Sequence, residues 1–109
     1  MRLSPRGPLL VIWRLCRGWS ALTAERYEQA VEFATQACEA NSEFPDIYAV
    51  LAAANGQLGW AAGARVALDE LLKRMPGLTA SDERLNRPFA RVADRERFLE
   101  GLRKAGMPA

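Results

Sequence analysis

Residues 45–77 of the chain, PDIYAVLAAANGQLGWAAGARVALDELLKRMPG, predict two α-helices joined by a tight turn. Pro45 suits the first turn of a helix, where the backbone N–H that proline lacks has no partner to lose. Gly59 is expected to end the first helix, because glycine readily adopts the left-handed conformation of such turns. Pro76 is expected to end the second. We therefore predict helices over residues 45–58 and 61–75.

The rest of the chain also predicts helix. No segment alternates apolar and polar residues as a half-buried strand does, and no Asn-Gly or Asp-Gly hairpin turn is present. Thr23 and Asn41 are expected to cap the second helix, as a side-chain N-cap and as a left-handed C-cap. The predicted fold class is all-α. The further helices are expected over residues 8–22, 25–40 and 94–105, with Gly106 as the last C-cap and a short helix over 78–85.

The composition indicates one globular domain and excludes several kinds of active site. Of the 109 residues, 50% are hydrophobic and 26% are charged, which is too apolar for a disordered protein. Histidine is absent, which removes the commonest general base and metal ligand. Cys16 and Cys38 form no CxxC pair, and we expect two buried free thiols, with a disulfide as the alternative. No P-loop and no nucleophile beside a base occurs, so we predict no enzyme, no metal and no cofactor.

The first 46 residues bear on charge and on location. Residues 1–24 contain four arginines and no acid, a net charge of +4, whereas residues 25–46 contain six acids and one arginine, a net charge of −5. The simplest interpretation is a pair of solvated helix faces that attract each other. The apolar run over residues 8–13 is too short for a membrane span or a usual signal peptide, so we expect a cytoplasmic protein.

Sliding the chain by 34 residues lays Ala30 on Ala64 and Gly18 on Ala52. A 34-residue period belongs to the tetratricopeptide repeat, and residues 45–76 resemble that repeat closely. Ala30 and Ala64 would lie where paired helices cross, because a larger side chain there would push the helices apart. The residues that match packing positions of the repeat are Gly18, Tyr27, Ala30, Tyr48, Leu51, Ala52, Gly59, Ala64, Leu68 and Pro76.

Residues 11–44 resemble the repeat more loosely. Arg14 and Arg17 stand where the repeat has Trp and Leu, and Glu25 stands where it has glycine. The resemblance nevertheless implies a short α-solenoid of two helix-turn-helix repeats with a C-terminal helical cap. Its expected parts are residues 1–10 as the end of a preceding repeat or the start of a helix, 11–44 and 45–77 as the repeats, and 78–109 as the cap.

Short strings are similar to the C-terminal tetratricopeptide region of bacterial class III adenylate and guanylate cyclases and related regulators. The strings are residues 2–6 (RLSPR), 25–30 (ERYEQA) and 102–106 (LRKAG), together with the stretch over 88–101. In such proteins the catalytic or DNA-binding domain lies upstream. The resemblance therefore implies the regulatory part of a larger bacterial signalling protein.

In tetratricopeptide arrays the first helix of each repeat lines a groove that holds a peptide or a partner helix. By this resemblance, the groove residues are Ile12, Leu15, Trp19 and Leu22, with Ala49, Ala53, Gly56 and Gln57 in the second repeat. An apolar partner suits such a surface, because aromatic anchors dominate interface energetics. The alternative is that this stripe packs on the C-terminal helix or on a second subunit. Leu15 and Trp19 replace the Lys and Asn of the family's carboxylate clamp, so we do not expect that binding mode.

These patterns together predict a non-catalytic protein–protein interaction module with a protein or peptide partner. One alternative is homo-oligomerisation through the N-terminal helix. Another is nucleic-acid binding through the arginine-rich tail, which we disfavour because acids are interleaved with its bases. The tail residues in question are Arg95, Arg97, Arg103 and Lys104, with Asp94, Glu96 and Glu100 among them.

Overall fold

The computed structural model describes residues 8–79 and 92–107, with side chains from residue 12 in the first range and from residue 93 in the second. This part of the chain is all-α, as predicted, and contains no strand. The predicted helix over 78–85 lies mostly outside the described residues, and Leu78 and Thr79 are not helical. The helices are α1 (Pro8–Thr23), α2 (Tyr27–Ala40), α3 (Pro45–Leu58), α4 (Ala61–Arg74) and α5 (Val92–Ala105).

In the turn between α1 and α2, one predicted cap is wrong and Glu25 has an unusual backbone conformation. The Thr23 hydroxyl donates a hydrogen bond to the Ser20 carbonyl at 3.0 Å, so it closes α1 rather than capping α2. Arg26 is the N-cap of α2 and makes no side-chain capping bond. Glu25 has a φ of 62°, in the left-handed region that normally favours glycine. Glycine, which the resemblance to the repeat leads us to expect at this position, would adopt this backbone without steric cost.

The second predicted cap of α2 is also wrong. Asn41 has a φ of −160° and a ψ of 113°, which is extended rather than left-handed backbone. Its side-chain oxygen accepts a hydrogen bond from the Glu43 N–H at 2.9 Å, which forms a local turn. The Asn41 side chain therefore shapes the connection to α3.

The turn between α3 and α4 follows the prediction. Gly59 has a φ of 76°, and its N–H bonds the carbonyl of Gly56 while the Trp60 N–H bonds that of Asn55. These bonds satisfy carbonyls that the end of α3 leaves without helical partners. α3 has the bounds expected from Pro45 and Gly59, and α4 ends one residue earlier than predicted.

The first four helices form two hairpins. α1 packs on α2 and α3 packs on α4, and the hairpins join where α2 packs on α3; α1 and α3 contact each other much less. A Cβ on Gly18 would lie 3.7 Å from the backbones of Ala30 and Ala34, so α1 and α2 approach closely. Of the residues matched to the repeat, Gly18, Ala30, Tyr48, Ala52, Ala64 and Leu68 are buried, Tyr27 and Leu51 are partly buried, and Gly59 and Pro76 are exposed.

The last helix packs chiefly on α3, with lesser contact to α4 and α1. It begins two residues earlier than predicted, and its apolar face is the one that the spacing indicates. Gly106 has a φ of 106° and ends the helix as expected. None of the described helices is both long enough and apolar enough to cross a bilayer. The buried residues of the α5 face are Phe98, Leu99, Leu102 and Ala105.

Candidate interaction surfaces

The face of α1 and α3 that the sequence predicts as a partner groove carries α5. Trp19, Ala53 and Gln57 contact α5 directly. The groove is therefore not open in this structure. Its residues pack on the C-terminal helix, which is the alternative that the sequence also allowed. We call the face formed by Trp19, Ala53, Gly56 and Gln57 the α5 groove. Of the remaining predicted groove residues, Leu15, Leu22 and Ala49 are buried and Ile12 is exposed.

Glycines from both helices form the crossing of α3 and α5. A Cβ on Gly56 would lie under 3.0 Å from the carbonyl oxygen of Gly101. A Cβ on Gly101 would likewise lie under 3.0 Å from the backbone of Ala53. Because backbone atoms cannot give way unless a whole helix moves, neither position accepts a larger residue. The α5 groove thus selects a helix with glycine at the crossing point.

An aromatic pair anchors α5 to α1. The rings of Trp19 and Phe98 meet edge to face, with centroids 5.0 Å apart and an interplanar angle of 60°. Phe98 is fully buried and Trp19 is partly buried. This geometry is the favourable one for aromatic rings, whose edges are positive and whose faces are negative. Phe98 precedes Gly101 by three residues, so both project from the same side of α5.

Gln57 holds α5 through both ends of its amide. Its Nε2 donates to the Arg97 carbonyl at 2.9 Å, and its Oε1 accepts from Lys104 Nζ at 2.9 Å. Lys104 also contacts Glu100 at 3.0 Å, and this hydrogen bond lowers the pKa of the Glu100 carboxyl. Gln57 was predicted as a groove residue, and it is the polar member that fixes where α5 lies along α3.

Arg97 joins α5 to the turn between α1 and α2. Its guanidinium lies 3.0 Å from Asp94 and 3.5 Å from Glu25, and it donates to the Thr23 carbonyl at 3.4 Å. Partial burial raises the pKa of the nearby Tyr27, and the Glu25 carboxylate acts in the same direction while Arg97 opposes it. Two of the four bases in the predicted basic tail, Arg97 and Lys104, are thus engaged within the chain.

A second, apolar groove lies on the opposite side of α3, between α2 and α4. It has a volume of about 480 Å³. Tyr48, Leu51 and Asn55 form its floor, three and four residues apart on α3. We call it the α2–α4 groove. Its walls come from Val31, Thr35 and Cys38 on α2 and from Ala62, Gly63, Val66, Ala67 and Glu70 on α4.

A polar cluster closes one end of the α2–α4 groove. The Arg74 guanidinium lies 4.3 Å from the centroid of the Tyr48 ring and bonds Glu70 at 2.7 Å. The Tyr48 hydroxyl donates to the Ser42 carbonyl at 2.8 Å and lies 3.6 Å from the Cys38 sulfur. Burial raises the pKa of Tyr48 to about 12, and the hydrogen bond with Cys38 adds to this. The cluster ties α2, α3 and α4 together.

Part of α1 faces outward. Ile12, predicted as a groove residue, is 47% exposed and Trp13 is 54% exposed. Arg17 lies 5.0 Å from the Trp13 ring and 4.9 Å from the Phe33 ring. Within the described chain, Arg14 and Arg17 form no salt bridge with the acids of α2, so the expected attraction between those two helix faces is not realised as ion pairs.

The acids of α2 form a stripe along one side of the α2–α4 groove. Glu28, Glu32 and Glu39 are exposed and lie four and seven residues apart, which places them on one helix face. None of the described cations lies within salt-bridge distance of these three carboxylates. Their spacing could have been read from the sequence, whereas the apolar groove beside them depends on how α2 and α4 pack.

The two cysteines are free thiols, and one of them is not where it was expected. Cys16 is exposed on the outward side of α1, which contradicts the prediction of a buried residue. Cys38 is partly buried in the wall of the α2–α4 groove. The helical spacing of Cys16 from Ile12 and Ser20 places all three on the outward face, and all three are exposed.

Comparison with protein-family models, with curated proteins and with solved structures gives no significant match.

Proposed function

We propose that this chain is a non-catalytic interaction module whose α5 groove binds a helix, with α5 as its resident occupant. The observation that carries the proposal is the crossing of Gly101 on Gly56 and Ala53, where one helix lies in close contact with another. A surface that excludes a Cβ at its centre and offers an aromatic anchor beside it recognises a particular helix face.

The contacts of α5 define the pattern that such a helix should carry. Phe98 meets Trp19, Gly101 meets the backbone of α3 and Lys104 meets Gln57. These three residues are spaced by three, so they form one stripe along the helix. A competing partner would present an aromatic residue, a glycine and a basic residue in the order Phe-x2-Gly-x2-Lys.

The resemblance to the tetratricopeptide repeat supports the same proposal. The two helical hairpins, joined through α2 and α3, have the connectivity that two such repeats require. On this view the chain is the regulatory part of a larger bacterial signalling protein in the cytoplasm, and its partner is a protein segment rather than nucleic acid or a membrane.

A peptide competition experiment tests the helix-binding proposal. Gly101→Leu in the full chain should dislodge its own α5, because the side chain cannot fit against Ala53. A fluorescent peptide with the sequence of residues 92–107 should then bind this variant more tightly than the unaltered chain. The same peptide carrying Gly101→Leu is the matched control and should not bind. Failure of the first peptide to bind a variant that is still helical by circular dichroism would overturn the proposal.

A second candidate function is homo-oligomerisation through α1. It is favoured by the exposed Ile12 and Trp13, which leave an apolar surface at the end of the first hairpin. Light scattering over a range of protein concentrations tests it. A molar mass that rises with concentration, and falls to that of a monomer in Trp13→Glu, is the expected result.

A further inference from the structure

We propose that the α2–α4 groove docks α1 of a second copy of this chain. This proposal rests on the second candidate function, association through the exposed side of α1, and adds the surface that receives it. We call the outward side of α1 the donor and the α2–α4 groove the acceptor. Donor and acceptor are different surfaces, so the association is head to tail rather than two-fold symmetric. The α2–α4 groove faces away from α5, so docking there leaves the α5 groove and its occupant undisturbed.

The acceptor is apolar in its floor and acidic on one side. Leu51 forms the floor, and Val66, which is 64% exposed, forms part of the α4 wall. Covering the exposed side chain of this valine would remove apolar surface from water, which is favourable in free energy. The stripe of Glu28, Glu32 and Glu39, which forms no salt bridge with any described cation, runs along the α2 side. The groove therefore suits a helix with an apolar face and basic residues at its flank.

The outward side of α1 has this character. Ile12, Trp13 and Cys16 are exposed beside Arg17, and no acid occurs in residues 1–24. In its own chain α1 packs on α2 through the side that carries Gly18. Of the outward residues, Arg17 lies against the Phe33 ring of α2, whereas Ile12 and Trp13 are about half exposed. Seated in a neighbour's groove, Trp13 would supply the anchor and the arginines would meet the glutamates.

The two contributions have different roles. Rim ion pairs between exposed groups add little affinity but orient the partner and exclude like-charged ones. The affinity comes from covering the apolar floor and the tryptophan. The acidic stripe thus determines which helix is accepted. The net charges of +4 in residues 1–24 and of −5 in residues 25–46 would then attract each other between two copies of the chain.

Complementary variants test the proposal by light scattering. Trp13→Glu removes the donor and Val66→Glu removes the acceptor, and both residues are exposed, so both variants should remain folded. Each variant alone should self-associate at least about tenfold more weakly than the unaltered chain. An equimolar mixture should form a one-to-one dimer and nothing larger, because each dimer has one intact interface and no free complementary pair.

Each other outcome has a definite meaning. If Val66→Glu associates as strongly as the unaltered chain, the groove is not the acceptor and the proposal is overturned, while association through α1 stands. If the unaltered chain is monomeric at every concentration, both this proposal and the second candidate function are overturned. Adding Arg17→Glu to one chain and Glu32→Arg to the other should restore binding lost by either charge reversal alone, which a folding defect would not do.

The two thiols give an independent test, because Cys16 lies on the donor face and Cys38 lines the acceptor. A mixture of Cys16→Ser and Cys38→Ser chains treated with a short bismaleimide should give a cross-linked dimer of one chain of each kind. Cross-linked dimers from Cys38→Ser alone would instead show that α1 pairs with α1 and would overturn the proposal.

Discussion

Gly101 on α5 lies so close to Ala53 on α3 that a Cβ on Gly101 would be 2.9 Å from the Ala53 Cα. Replacing Gly101 by alanine should therefore lower the free energy of unfolding by about 1–3 kcal/mol, the usual cost of overpacking a tight contact. Chemical denaturation measures this. Glu96→Ala is the matched control on the exposed side of the same helix and should change the free energy of unfolding by less than about 0.5 kcal/mol. Equal losses for the two variants would contradict the close crossing.

Glu25 has a left-handed backbone conformation, and the protein should be more stable with glycine at this position. Glu25→Gly relieves steric crowding of the Cβ, which is worth roughly 1 kcal/mol. It also removes the contact with Arg97, but this pair is exposed and contributes little. Thermal and chemical denaturation should show a net gain. Glu32→Gly, in the middle of α2, should instead destabilise the chain by about 1 kcal/mol.

Ala64 and Ala62 lie two residues apart on α4 but on different sides of it. Ala64 is buried and Ala62 is exposed. Ala64→Leu should cost at least about 1–3 kcal/mol of stability, because the helices must separate to admit the larger side chain. Ala62→Leu should cost little. Equal shifts of the melting temperature would mean that the proposed repeat register is wrong.

The aromatic contact between Trp19 and Phe98 should make the two residues energetically coupled. Phe98→Ala should lower the free energy of unfolding by roughly 3–5 kcal/mol, because Phe98 is fully buried. Trp19→Ala should lie at the lower end of this range, because Trp19 is only partly buried. The double variant should lose less than the sum of the two. With Trp13→Phe and Trp60→Phe in place, Trp19 fluorescence should resist acrylamide, whereas efficient quenching would indicate an open groove.

Tyr48 should make the protein sensitive to alkali. Its pKa in the folded chain is raised from 10.0 to about 12, so the proton is held more tightly in the folded state. The corresponding stability is complete below about pH 10 and is lost as the pH rises through about 12. Tyr48→Phe should lack this decline, although it is less stable at neutral pH because the bond to the Ser42 carbonyl is gone. Unfolding measured in parallel at several pH values compares the two, and identical pH slopes would exclude Tyr48 as the cause.

Much of the secondary structure could be predicted from the sequence, because its signals are local. Pro45 and Gly59 bound α3 at the residues where the structure has its ends, since one suits a first turn and the other a left-handed stop. The spacing of Phe98, Leu99 and Leu102 likewise indicated the buried face of α5. These residues determine conformation through their own covalent geometry and periodicity.

The caps of α2 were predicted wrongly for a physical reason. Thr23 and Asn41 have side chains that can bond several nearby backbone groups, and the choice depends on the path of the chain around them. Thr23 bonds back into α1 and Asn41 bonds forward to Glu43. A sequence pattern identifies such residues as turn formers but does not say which bond they make.

Only the tertiary structure decided where α5 lies and which surfaces stay open. The amphipathic spacing of α5 requires a partner for its apolar face, but the pattern fits α4, a second subunit or the predicted groove equally well. Gly101 carries no local signal for its role, because its contact with Ala53 joins residues 48 positions apart. Helix formation depends on neighbours in the chain, whereas the α5 groove and the α2–α4 groove depend on contacts between distant segments, and those exist only once the helices have packed.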